Sequence, residues 1–183
     1  MSNHRVVILS GLSGSGKTTL GNYFVNLYND WTFIDGDWFF LRDKPKVLLS
    51  NGDIVPNWDS PDAIDWDLLN DRVNRELVHY NIILATFLPI MDKFTFPIYK
   101  HIRLSMGSDE QLIKRCIQAR KASKKFNTPE KIKRDELMVR EVVYPIYLSN
   151  EHWHTDNIFM VYDDEGNRVP LGELNTLLEN VIL

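Results

Sequence analysis

Short apolar runs alternate along the chain with longer amphipathic stretches. Val6-Val7-Ile8-Leu9 is apolar on both faces and ends at Ser10-Gly11. A run with no polar side is covered on both faces, which predicts a central strand of a parallel sheet flanked by helices. Leu20, Phe24, Leu27 and Tyr28 then recur at helical spacing and predict a helix over 17–28. Further strands are predicted over 31–34, 82–87, 101–106 and 158–162. Between them, Ser60-Pro61-Asp62 reads as cap, first-turn proline and first-turn acid before Ile64, Leu68, Leu69 and Val73. Ser108-Asp109-Glu110 opens a helix through Leu112, Ile113, Cys116 and Ile117. Thr128-Pro129-Glu130 opens another that ends near Val143, because Pro145 lacks the amide a helix interior requires. Leu171, Leu174, Leu177, Leu178 and Val181 mark the last helix. Strands alternating with helices predict an α/β fold, a doubly wound five-stranded parallel sheet that binds ligands at the carboxyl ends of its strands.

Composition narrows the class. The 183 residues are 44% hydrophobic, enough for one sizeable core, so a single domain over 1–183 is expected. The net charge of −4 and 25% charged residues give no nucleic-acid footprint. Cys116 is the only cysteine, which excludes an internal disulfide, fits a reducing compartment and reads as a packed core thiol. The first residues, Met1-Ser2-Asn3-His4-Arg5, lack a signal-peptide pattern, and no window reaches the roughly 18 apolar residues of a membrane span. The expectation is a soluble, cytoplasmic monomer or homodimer with neither membrane nor nucleic acid as partner.

The chemistry enters at Gly11-Leu12-Ser13-Gly14-Ser15-Gly16-Lys17-Thr18, a G-x-x-x-x-G-K-T pattern between a predicted strand and a predicted helix. Small residues let backbone amides converge on a phosphate, and the helix start adds its positive dipole end. The pattern predicts a nucleoside triphosphate, ATP, held by Gly11, Ser13, Gly14, Ser15, Gly16, Lys17, Thr18 and Thr19, with the Thr18 hydroxyl on Mg²⁺. No N-K-x-D element accompanies it, and Asp163-Asp164-Glu165-Gly166 fits D-x-x-G only as a polar turn after the last strand. The strand over 82–87 ends in Ala85-Thr86-Phe87 where a motor ATPase places an acid. A phosphotransferase fits better. Phe33-Ile34-Asp35-Gly36-Asp37 sets two carboxylates just after the second strand, placed to accept the proton of an attacking hydroxyl or to hold the water shell of Mg²⁺. Asp37 is the candidate base and a candidate Mg²⁺ contact with Thr18; Asp35 supports it.

These residues carry two resemblances. The phosphate loop through Leu20, followed by 33–37, resembles gluconate kinase of the shikimate-kinase type, as does Arg103 to Lys121 with its closing Ala119-Arg120-Lys121. That resemblance implies a P-loop kinase fold of the nucleoside/nucleotide kinase kind, carboxylates facing the phosphoryl acceptor, and a helical lid over about 121–135. Asp37-Trp38-Phe39-Phe40, 57–65 and 142–148 are similar instead to segments of the uridine and nicotinamide riboside kinases. In those families Asp37 matches the proposed base; their Glu-Gly after the third strand is Ala85-Thr86 here. The expected reaction is transfer of the γ-phosphate to a hydroxyl of a small metabolite, a sugar acid or a nucleoside. A nucleotide-binding regulator without catalysis is the alternative of another class.

Nine cations fall between Lys114 and Arg134 in an otherwise acidic chain. As a lid such a segment brings an arginine to the transferring phosphoryl. Arg120 is the first candidate, Arg115 the second, and Arg134 or Arg140 the next; Lys121, Lys124 and Lys125 read as a solvated face. His79, His101, His152 and His154 lack metal-ligand spacing. Of the tryptophans Trp31, Trp38, Trp58, Trp66 and Trp153, Trp38 and Trp58 are best placed to line an acceptor pocket.

Overall fold

Strand β1 (Val6–Ser10) is buried over its whole length. Its alternate side chains enter two separate cores. Val7 and Leu9 join Leu20 and Phe24 of helix α1 (Lys17–Val25), while Val6 and Ile8 meet Leu69 and Val73 of α2 (Trp66–Glu76). Each such side chain, fully withdrawn from water, contributes about 1.5–3 kcal/mol. Two cores sandwiching one strand are the doubly wound arrangement that the unbroken apolar run predicts.

In this computed structural model residues 4–87, 89–106, 108–122, 128–149, 155–163 and 165–183 are described. The main sheet adds β2 (Trp31–Asp35), β5 (Asn81–Thr86), β6 (Ile98–Ser105) and β7 (Asn157–Met160), in the order β2-β5-β1-β6-β7 with every neighbouring pair parallel. The chain winds from β1 toward β2 and β5, then reverses toward β6 and β7, so the order turns at β1 and the crevice for a ligand opens at its carboxyl end. Helices α3 (Asp109–Ala122), α4 (Pro129–Met138), α5 (Tyr144–Ser149) and α6 (Leu171–Ile182) complete the layers. Among the described residues no helix is long and apolar enough to cross a membrane.

Several local expectations are corrected. Helix α1 stops at Val25, before Leu27 and Tyr28. Ser60 caps only a 3₁₀ turn over Pro61–Ala63; Ile64 is extended and bridges Phe40, and α2 begins at Trp66 with the Asp65 carboxylate accepting from the Leu68 amide at 3.0 Å. Strand β6 starts at Ile98 rather than His101, because a bulge opposite Val6 and Val7 breaks the alternation at Tyr99 and Lys100. The helix expected to end near Val143 instead passes through a π-helical turn, Val139–Val143, into α5. The Tyr144 amide donates to Val139 five residues back, and Pro145 lands in the first turn of α5, where its missing donor costs no helical hydrogen bond. A hairpin of β3 (Lys46–Leu48) and β4 (Ile54–Pro56) has no counterpart in the expected elements. Its strands are too short for a period to show. Leu49 and Val55 bury it in the same core as Met138 and Val142, and Ser50 donates both its amide and its hydroxyl to the Glu141 carboxylate.

Candidate active site

The phosphate loop leaves the end of β1 and enters α1 at Gly16, whose φ of 93° is strained for any residue with a Cβ. The Lys17 ammonium folds back onto the loop and donates to the carbonyls of Gly11 at 2.8 Å and Leu12 at 3.2 Å. Burial pushes it below the usual lysine range, against the charges of Asp37 and Asp35. Ser15 is buried, and its hydroxyl has no hydrogen-bond partner among the described residues. A buried donor left without an acceptor is costly, on the order of 1–3 kcal/mol. A glycine-rich loop at a helix start, a desolvated cation and an orphaned hydroxyl fit a polyphosphate.

Asp35 closes β2 and ties the acidic turn to the loop. Its Oδ1 accepts from the Asp37 amide at 3.1 Å and its Oδ2 from the Thr18 hydroxyl at 3.0 Å. Gly36 between them is there for space: a Cβ would stand 2.9 Å from the Ala85 carbonyl oxygen. The turn therefore rests on the end of β5, and the buried Thr86 at that end lies beside Ser10. Asp37 lines the cavity above the loop. Desolvation and the neighbouring Asp35 charge hold its carboxyl above the ordinary range, and Lys17 opposes them. The residue as a whole remains exposed to water. Of the two carboxylates, Asp35 is the one that touches Thr18. That hydroxyl–carboxylate pair suits Mg²⁺ carried largely by phosphate oxygens and water; among the described residues no group of three or more His, Cys, Asp or Glu side chains is arranged to hold a metal by itself.

Arg120 reaches the same cavity from α3, but its Nη2 is engaged by both oxygens of Asp59, at 2.8 and 2.7 Å. Both side chains are largely buried, with 18% and 8% of their surface exposed. Cys116 lies against Arg120 in the core; burial pushes the thiol up, and the guanidinium acts the other way. Arg115 does not line the cavity. It donates to the Gly166 carbonyl at 2.9 Å and lies 3.3 Å over the Tyr162 ring. Arg134 lines the cavity, while Arg140 pairs with Glu110 and Glu136 outside it.

The cavity, about 620 Å³, has two ends. One is the phosphate loop with Arg168 at its lip. The other carries Asp37 and Asp59 among Phe40, Trp58, Phe87, Met138 and the hairpin residues Ile54 to Pro56. Trp58 packs edge-on against Phe40 and takes the Lys44 ammonium on its ring at 3.8 Å. Trp38 is 60% exposed and does not line the cavity; Trp31 is buried. The sequence places Asp59 in the segment that resembles the acceptor side of the riboside kinases without giving it a role, and it does not assign Arg168, Met138 or the hairpin to the site. Arg168, Met138 and the hairpin belong to no motif with its own spacing, and the pairing of Asp59 with Arg120 joins segments 61 residues apart. Lys124, Lys125, His152, Trp153 and His154 lie outside the described residues.

No family model matches the chain. A nicotinamide riboside kinase of Saccharomyces cerevisiae (strain ATCC 204508 / S288c) is 34% identical over 76 residues, which are 40% of this chain and 31% of that protein, so the match spans less than a third of the relative's length. Two solved structures are similar over nearly the whole chain. One is a sugar kinase from Janibacter sp. HTCC2649 without ligand, with a TM-score of 0.55, 15% identity and coverage of 97% of this chain and 93% of that one. The other is a shikimate kinase from Bacteroides thetaiotaomicron, with a TM-score of 0.51, 16% identity and coverage of 97% and 98%. The fold is therefore the α/β P-loop fold that these kinases share.

Proposed function

We propose that the chain is a small-molecule kinase that transfers the γ-phosphate of ATP to a hydroxyl of an acceptor bound beside Asp37. The observation that carries this reading is the continuity of the cavity: it joins the phosphate loop to two carboxylates within an aromatic and apolar recess. Lys17 and the loop amides hold the polyphosphate, and Thr18 and Asp35 hold Mg²⁺ and its water, which supplies charge neutralisation on the phosphoryl oxygens. Asp37 accepts the proton as the acceptor oxygen bonds to the γ-phosphorus and the bond to the β–γ bridging oxygen breaks, leaving a phosphomonoester and ADP. Its raised pKa suits that task, since a base poised closer to the working pH takes a proton more effectively.

The recess favours a nucleoside or riboside over a sugar acid. Trp58, Phe40 and Phe87 offer ring surfaces and Asp59 offers an acceptor for hydroxyls, while Arg120 is paired with Asp59. The partial likeness to a nicotinamide riboside kinase points the same way. One observation supports a sugar acid instead: Arg134 lines the cavity and makes no ion pair among the described residues. ATP consumption measured against nucleosides, ribosides and sugar acids separates these readings. Turnover is expected with a ring-bearing acceptor, and Asp37→Asn is expected to lower kcat by about 10²–10⁴. Binding of ATP without turnover of any acceptor would overturn the catalytic reading in favour of a nucleotide-binding regulator.

A further inference from the structure

Arg168 has no place in the reaction so far, and Arg115 points away from the cavity. The two belong together. After β7 the chain turns back on itself: the Asp163 amide donates to the Asn167 carbonyl at 2.9 Å, and the Asp163 carboxylate accepts from the Asn167 amide at 2.7 Å. Tyr162 and Arg168 face each other in an antiparallel bridge, and the Val169 amide donates to Val161. Arg115 clamps this turn from α3, with one donor on Gly166 and its guanidinium plane on Tyr162. The turn in turn delivers Arg168 to the lip of the phosphate loop. A Cβ added to Gly16 would lie 2.9 Å from Arg168 Nη2, so the guanidinium rests against the glycine that opens α1. The Arg168 side chain makes no hydrogen bond or ion pair among the described residues, although it lines the cavity beside Gly16, Thr18 and Thr19.

We propose that Arg168 is a nucleotide-binding residue that grips the α- and β-phosphates across the lip of the loop, and that Arg115 is its positioning residue, acting through Tyr162 and Gly166. The inference rests on the reading that the loop holds a nucleoside triphosphate. A guanidinium presents a rigid fork of donors matched to phosphate oxygens, and at a helix N-terminus it adds to a field already favourable to anions. Arg168 stands on a braced turn, whereas Arg120 stands on α3 and Arg134 on α4.

Calorimetric binding of ADP and of inorganic tripolyphosphate tests this without any acceptor. Arg168→Ala is expected to weaken both by a similar factor, roughly tenfold to a hundredfold, the range of a lost charged hydrogen bond. Arg168→Lys is expected to recover part of the loss. Weakening of ADP with unchanged tripolyphosphate would mean that Arg168 stacks on the base, and unchanged affinity for both would remove it from the site; either overturns the proposal. Arg115→Gln is expected to weaken ADP in the wild-type background and to add nothing to Arg168→Ala. An additive loss would show that Arg115 acts by some other route. If the wild-type protein binds neither ligand, the nucleotide reading itself fails, which none of the variant outcomes imitates.

Discussion

Two carboxylates separated by one glycine do different work because their surroundings differ. Asp35 spends its oxygens on the Asp37 amide and the Thr18 hydroxyl, whereas the Asp37 side chain accepts no hydrogen bond among the described residues. Desolvation and the charge of Asp35 therefore raise the Asp37 pKa. Asp37 must be ionised to take a proton, so kcat/KM is expected to rise with pH along a limb above the ordinary aspartate value of about 3.9. Asp35→Asn removes the like charge, and the limb is expected to move to lower pH. Carbon-detected NMR titration of the ligand-free protein reads the same group directly. A limb that stays in place would show that the two carboxylates are not coupled. The need for this pair was legible in Asp-Gly-Asp after a strand. Which oxygen meets Thr18 was not, since it depends on how closely Gly36 lets the turn settle on Ala85.

The elements differ in how openly the chain announced them. Strands β1 and β5 could be read directly because both faces are apolar, and the phosphate loop because its spacing is fixed by the chemistry. The hairpin of β3 and β4 was not, for its burial depends on Leu49 and Val55 meeting a helix far along the chain. Pro145 misled for a related reason: its local rule is sound, but a π-helical turn upstream let the helix resume with the proline in a tolerated place. The link between these elements is testable. Ser50 donates twice to Glu141, and those bonds hold the Glu141 carboxyl below its usual range. A depressed carboxylate pKa adds stability above the unfolded value and loses it as pH falls through the folded one. Exchange of the Ser50 amide is thus expected to be faster in Glu141→Gln than in wild type near neutrality, with the difference vanishing in acid. An equal rate at neutral pH would show that Glu141 does not secure the hairpin.

For the whole molecule, the sheet order puts the phosphate loop on the most enclosed strand, between β5 and β6 and between two cores. A ligand gripped there engages the folded state alone. Saturating ADP with Mg²⁺ is expected to raise the melting temperature, equivalent to about 2.7 kcal/mol at a hundred times Kd. Arg168→Ala is expected to shrink that shift at equal ligand concentration without altering the melt of the free protein. No shift in the wild-type protein would contradict nucleotide binding. This architecture was the most legible part of the chain, since alternating elements and one motif determine it. The acceptor recess was the least, because residues from five separate segments build it.

That recess has one wall of a different kind. Ile54, Val55 and Pro56 belong to a two-stranded sheet with no pairing to the main one, fastened by Leu49, Val55 and the Ser50 clasp. Among the described residues, the strands of the main sheet take no backbone hydrogen bond from it. If the recess takes the acceptor as proposed, the hairpin is a wall of it that evolution or a protein engineer can exchange without rebuilding the strands that carry the phosphate loop.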